Sequence, residues 1–163
     1  MAGTSSKQVS TIYSLLATLI ETVTTDNGYN NTILPESILY QQAPLTKERK
    51  PPIIYIYHMR AEFAAGTGGR YDVELQYSII AETKTANGQN DLLDKILLLQ
   101  SDLIKVLYSD LYLINTATAE ETDVHLDNHL IYSVNTEGGL IYPKALLEIQ
   151  GGMLLHRTQL PLL

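Results

Sequence analysis

The sequence predicts an α+β fold, a mainly antiparallel or mixed sheet of about four to five strands packed against two amphipathic helices. Three stretches carry that expectation. From Tyr71 to Ile79 every odd position is apolar and every even one polar, the period-two signature of a strand with one dry face; Ile80 is the first exception. Over residues 91–108 the period changes to that of a helix, with Leu92, Ile96, Leu99, Leu103, Val106 and Leu107 on one side. Residues 8–24 repeat the helical pattern through Val9, Ile12, Leu16, Leu19, Ile20 and Val23. A one-faced strand leading into a helix with a long dry stripe implies that each covers the other. Burying each of those six aliphatic side chains of the second helix would contribute about 1.5–3 kcal/mol before chain-ordering costs.

Composition narrows the class of function. The chain has 163 residues, which fits one domain over 1–163 able to hold a core without staples. With no cysteine, a disulfide framework and a thiolate metal site are both impossible. Eighteen acidic against eleven basic residues give a net charge of −7, which argues against a binder that works by neutralising nucleic-acid phosphates. Apolar runs are far too short to span a bilayer, so no membrane partner is expected, and the start Met1-Ala2-Gly3-Thr4 lacks a signal peptide's apolar segment. Eleven tyrosines against one phenylalanine and no tryptophan suit protein interfaces, because a phenol offers apolar area and tolerates a wet edge. Strands favour tyrosine as well.

Taken in order, the helix at 8–24 is expected to stop at Asn27-Gly28. Residues 29–50, with Pro35, Pro44 and the charge cluster Lys47-Glu48-Arg49-Lys50, read as a long loop holding one short apolar strand, Ile38-Leu39-Tyr40. After Pro51-Pro52, the run from Ile53 to Met59 is apolar on both faces, the pattern of a central strand covered on two sides, one of them by another subunit. Gly66-Thr67-Gly68-Gly69 then forms the tip of a long hairpin leading to Tyr71. Asn87-Gly88 marks the turn into the second helix. Beyond a polar connection at 115–123, Leu130 to Val134 and Leu140 to Ile149 flank Asn135-Thr136-Glu137-Gly138-Gly139 as a second hairpin, with Pro143 favouring an edge or a bulge. Gly151-Gly152 breaks the pattern, leaving an extended apolar tail over 151–163 that includes Met153, Leu154 and Leu155.

Candidate chemistry is sparse. His125 and His129, with Asp123 and Asp127 nearby, have a spacing that on a helix would give a metal two imidazoles and a carboxylate. No helical stripe surrounds them, and in a strand they are two polar side chains on one face. Gly66, Gly68, Gly69 and Arg70 resemble a phosphate-cradling loop but lead into a strand and lack the Lys-Ser/Thr ending. A flexible hairpin tip explains these glycines, and such a tip is expected to order on contact with a neighbour. The sequon Asn30-Asn31-Thr32 reads as chance. No catalytic residue, cofactor or metal site is assigned.

Leu98 is more informative. At about 100° per residue it falls among Asp91, Asp94, Lys95, Asp102 and Lys105, opposite the main stripe, while Leu93, Leu97, Ile104 and Tyr108 widen that stripe past its usual breadth. Together with the two-sided strand and the apolar tail, this is more dry surface than a small domain hides, and it points to a homo-oligomer. The residues expected at subunit or ring contacts are Leu98, Tyr108, Gly66, Gly68, Gly69, Arg70, Met153, Leu154 and Leu155.

The element order is a helix, a long polar loop, a long hairpin, a second helix reading Asp91-Leu92-Leu93-Asp94-Lys95-Ile96 and Ser101-Asp102-Leu103-Ile104-Lys105-Val106-Leu107 with Asp110-Leu111, and a final hairpin. From about Val9 to Ile149 this resembles the tail terminator (tail completion) proteins of long-tailed bacteriophages. The long loop and the segment from Gly151 to Leu163 have no counterpart in that resemblance. It implies a hexameric ring on the last ring of the tail-tube protein, which stops tube growth and meets the head-side connector protein. DNA would pass through the lumen without specific binding. Such a subunit belongs to the virion, at the tail or neck, and to the host cytoplasm during assembly. Rival readings are another neck or connector subunit and, from a different class, a small-ligand-binding or metal-dependent hydrolytic domain built on His125, His129, Glu120, Glu121 and Asp123.

Overall fold

The computed structural model describes residues 4–40, 49–65, 71–110, 126–136 and 140–157. Helix α1 spans Thr4–Glu21, and strands β1 (Ile38–Tyr40), β2 (Ile53–Ala65) and β3 (Tyr71–Lys84) follow. Helix α2 covers Gln89–Ser109, and β4 (Leu126–Asn135), β5 (Leu140–Ile141) and β6 (Lys144–Arg157) complete the order. The fold is α+β, as expected, with a mixed six-stranded sheet in place of four or five strands. Its order is β1-β2-β3-β6-β4, with β5 on the start of β6. Among the described residues only the β1–β2 pairing is parallel.

The alternation in β3 sets the layer structure. Leu75, Tyr77, Ile79 and Ala81 are buried. Register then assigns their neighbours to the same face: Ile56 and Ile149 lie beside Ile79, and Ile54 and Leu147 beside Ala81. All of these join one cluster with Ile12, Leu16 and Ile20 of α1 and with Leu92, Ile96, Leu99, Leu103, Val106 and Leu107 of α2. Both helices therefore cover a single face of the sheet. Around α1 the burial is wider than the stripe predicts, since Tyr13, Leu15 and Ala17 are also buried. Between residues 12 and 21 only Ser14, Thr18 and Glu21 are exposed.

Several details differ from expectation. Gly28, at φ 86°, closes a 3-10 turn over Thr25–Asn27; α1 itself has already ended at Glu21. The cause is Val23, whose burial pulls the chain off the helix axis and whose carbonyl then accepts from Ile33 N–H at 2.9 Å. Strand β2 buries Ile54 and Ile56 on the helix side; on the face away from the helices Ile53 is buried as well, while Tyr55 and Tyr57 are half-buried. Pro143 lies in the tight turn between β5 and β6, where its missing N–H removes no ladder bond. The second hairpin is thus interrupted by β5, although β4 still pairs with β6. Nor do Gly151 and Gly152 end the pattern. They sit inside β6 opposite Tyr77 and Gln76, so residues 151–157 form part of a strand paired on both sides, and the expected tail is not separate there.

Asp102 overturns the expected helix surface. It was placed with Lys105 on the wet side of α2, and Lys105 is indeed exposed, yet Asp102 is only 1% accessible. Leu103, fully buried in the common cluster, behaves as the stripe predicts. Leu103→Ala should lower unfolding stability by about 2–5 kcal/mol in denaturant titration, the range for truncating a buried leucine. A loss below about 0.5 kcal/mol would mean that this face of α2 is not packed.

Candidate functional site

Two surfaces of the fold carry features that the core does not require. The first is α2, whose two flanks behave differently. On one flank the Asp102 carboxylate accepts four hydrogen bonds from the loop after α1: Asn30 N–H at 3.0 Å and its Nδ2 at 2.9 Å, and Asn31 N–H and Nδ2, both at 2.8 Å. One turn on, Lys105 Nζ donates to the Gly28 carbonyl at 3.5 Å and stands 4.7 Å from the centre of the Tyr29 ring. Thr32 Oγ1 accepts from Thr25 N–H at 3.1 Å and closes the base of the same loop. Asn30-Asn31-Thr32 is therefore the clasp that holds the loop to the helix, a role no local periodicity announces. A carboxylate whose oxygens each accept two N–H donors can be buried without a cationic partner.

On the other flank of α2 only Ile104, among the residues that widen the stripe, packs against the core cluster. Leu93 and Leu97 are exposed, Ile104 is half-buried, and Tyr108 is 51% exposed. Leu98, 46% exposed, stands apart among the charged residues, where the sequence places it. The expected contact residues Leu98 and Tyr108 are thus at the surface. Gly66, Gly68, Gly69 and Arg70 lie outside the described residues. Met153, Leu154 and Leu155 are placed by backbone in β6, between β3 and β4. They belong to the sheet, so a free tail is not what would offer them to a neighbour.

The second surface is the sheet face away from the helices. Its rows read Tyr55 beside Ile80 and Glu148, then Tyr57 beside Ser78 and Gln150. Apolar groups cluster at one end, where Leu146 is exposed and Ile141 is 74% exposed. Polar groups on this face satisfy one another: Glu148 Oε1 accepts from Ser78 Oγ and from Gln150 Nε2, both at 3.0 Å. Lys144 Nζ meets Glu82 Oε1 at 2.9 Å. The hydrogen bond that Lys144 donates to Glu82 raises the Lys144 pKa, while burial and then the Glu82 charge raise that of Tyr55. A shallow hollow lined by Met59, Glu74, Gln76, Tyr77, Gln150 and Gly151 opens near the bulge in β2.

Among the described residues no group of three or more His, Asp or Glu side chains could hold a metal ion. Of the sequence candidates, Glu120, Glu121, Asp123 and His125 lie outside the described residues, and His129 is placed only by the backbone of β4. His58 instead joins α1 to the sheet. Tyr13 Oη shares a 2.6 Å hydrogen bond with His58 Nδ1 and donates to the Gln76 carbonyl at 3.4 Å. The two rings meet edge to face at 5.3 Å.

No protein-family model matches the chain, and no curated protein is detectably similar to it. No described helix is long and apolar enough to cross a membrane. Function must accordingly be argued from the surfaces themselves.

The geometry yields two predictions. Removing the clasp carboxylate in Asp102→Ala strands two backbone N–H groups and should cost about 2–4 kcal/mol of stability by denaturant titration, with faster amide exchange at Asn30 and Asn31. An unchanged midpoint would show that water replaces the carboxylate without loss. Burial pushes the Tyr13 phenol up from 10.0 to about 12. Folding thus favours the protonated form, so this contribution is complete below about pH 10 and is lost as pH rises through about 12. The stability difference between wild type and Tyr13→Phe, measured by denaturant titration, should be flat up to about pH 10 and shift towards the variant above it. A difference constant to pH 12 would contradict the burial argument.

Proposed function

We propose that this protein is a structural virion component, a ring-forming subunit that caps a bacteriophage tail tube, stops its polymerisation and joins the tail to the head connector. The observation that carries the reading is the combination of a one-sided sandwich with apolar surface left bare on both layers, at Leu93, Leu97, Leu98 and Tyr108 on α2 and at Ile141 and Leu146 on the far face of the sheet. A small chain that exposes this much aliphatic and tyrosine surface gains by covering it with other subunits. The order of elements supports the same reading, because the first helix, the long β2–β3 hairpin, the second helix and the terminal β strands occur in the sequence that suggests a tail terminator. The sandwich supplies a rigid body, and its two exposed surfaces differ in chemistry, as lateral and axial contacts must in a ring that ends a tube.

Ring closure needs a heterologous contact between two different patches, with a rotation that divides a full turn, about 60° for a hexamer. Growth along the axis stops only if the face away from the tube differs from the face that binds it. A net charge of −7 would help a lumen pass DNA without gripping it. The partners proposed are other copies of the chain, the tail-tube protein and the head-side connector protein; the place of work is the virion neck, reached through assembly in the host cytoplasm.

The test adds purified protein to tube subunits elongating in vitro and measures tube lengths by electron microscopy. Lengths should shorten in a dose-dependent way, with a ring visible at one tube end only. Unchanged lengths at stoichiometric excess, with no ring on tube ends, would remove the assignment.

A further inference from the structure

We propose that neighbouring copies join edge to edge, with the outer edge of β4 in one copy pairing antiparallel with the distal outer edge of β2 in the next, so that the sheet continues from subunit to subunit. The proposal names the lateral contact of the ring described above and rests on that reading for closure, while the contact itself follows from topology.

The sheet is unevenly closed. Strand β2 has 13 residues, but β1 has 3 and pairs only with Ile54, Tyr55 and Ile56. Among the described residues, nothing pairs with the outer side of β2 from Tyr57 to Ala65. At the opposite margin β4, with 10 residues, pairs with β6 on its inner side and ends the strand order. Two long rows of backbone donors and acceptors therefore lie on opposite margins of one sheet, each a template for another strand. Short edge strands are the usual protection, and neither margin has it.

Strand direction identifies the occupant. Pairing is antiparallel from β2 to β3, from β3 to β6 and from β6 to β4, so β2 and β4 run in opposite directions. A copy rotated about an axis roughly parallel to the strands keeps its own strand directions and brings its β2 alongside β4 of its neighbour. The new pair is then antiparallel, the more stable of the two ladders. A foreign peptide would cover one margin and leave the other open, and a two-fold pairing of β2 with β2 or of β4 with β4 would do the same. Only a head-to-tail repeat of this chain covers both margins of every copy, and such a contact closes into a ring. Irregularities restrict the pairing further: β2 is bulged between His58 and Arg60, β4 is irregular between Leu126 and Asn128 and between Ile131 and Ser133, and Arg60 and Glu62 form an ion pair on the margin of β2. These features discourage indiscriminate strand addition. Continuing the sheet in this way also sets both helices of every copy on the same wall of the ring.

The absence of cysteine makes the test clean. Arg60, Glu62 and Ser133 are exposed, and register places them on the same sheet face. Full-length Arg60→Cys/Ser133→Cys and Glu62→Cys/Ser133→Cys are oxidised mildly and compared with the three single variants on non-reducing gels, after thermal melts confirm wild-type folding. A double variant should give a covalent ladder of multiples of the chain, while the single variants stay uncross-linked. Disulfide dimers of a single variant would show a two-fold contact and overturn the proposal. Hydrogen exchange on the wild type checks the contact independently of register: amides at 58–65 and 126–134 should slow by about ten-fold or more on assembly. A ring mass by light scattering without cross-links or edge protection would overturn the edge contact and leave the ring reading standing. Cross-linked rings that fail to shorten tubes would uphold the contact and remove the terminator reading. A chain that stays monomeric at every concentration and never cross-links would end both.

Discussion

Strand β3 has one dry face, and nearly every other feature of the molecule follows from that constraint. It is flanked along its length by β2 on one side and by β6 on the other, so its alternation is imposed on both neighbours through register. Leu75, Tyr77, Ile79 and Ala81 thereby recruit Ile54, Ile56, Leu147 and Ile149 into a continuous apolar sheet face. Such a face must be removed from water, and two helices with long stripes are available to cover it. On the opposite face Ser78 and Gln150 hydrogen-bond to Glu148, and Glu82 pairs with Lys144.

Irregular segments are held by polar anchors that the core positions. Asp102 fixes the loop after α1 because α2 is already docked, and the loop then returns Ile33 to the core. At the other end of α2, Thr85 N–H donates to the Pro143 carbonyl at 3.0 Å and Thr85 Oγ1 to Asp91, tying the β3–α2 turn to the β5–β6 turn. Gly88 makes that turn at φ 102°, a backbone angle that side chains disfavour. Each anchor links residues far apart in sequence, so its worth depends on the packing that brings the partners together. This is why the clasp and the Tyr13–His58 contact belong to the rigid body that presents the exposed surfaces.

The exposed flank of α2, the apolar end of the far sheet face and the sheet margins at β2 and β4 are directed differently. The hollow near Met59 is open, and in it Met59 and Tyr77 stand beside Glu74, Gln76 and Gln150.

By itself the sequence determined the periods: the helices α1 and α2, the one-faced strand β3 and the exposure of Leu98 all follow from spacing, because spacing decides which side chains share a side of an element. Tertiary structure alone decided what those sides meet. Asp102 sits where its own helix would put a surface carboxylate, and it is buried because a loop more than seventy residues earlier in the chain folds onto it. Gly151 and Gly152 read as a break, yet strands on both sides hold them in β6, since ladder bonds use the backbone that glycine has in full. The margins of β2 and β4 that no described residue pairs with are equally invisible in any local pattern. Which strand lies at an edge, how far its neighbour reaches and in which direction it runs are properties of the assembled sheet, and they emerge only when residues distant in sequence have been paired.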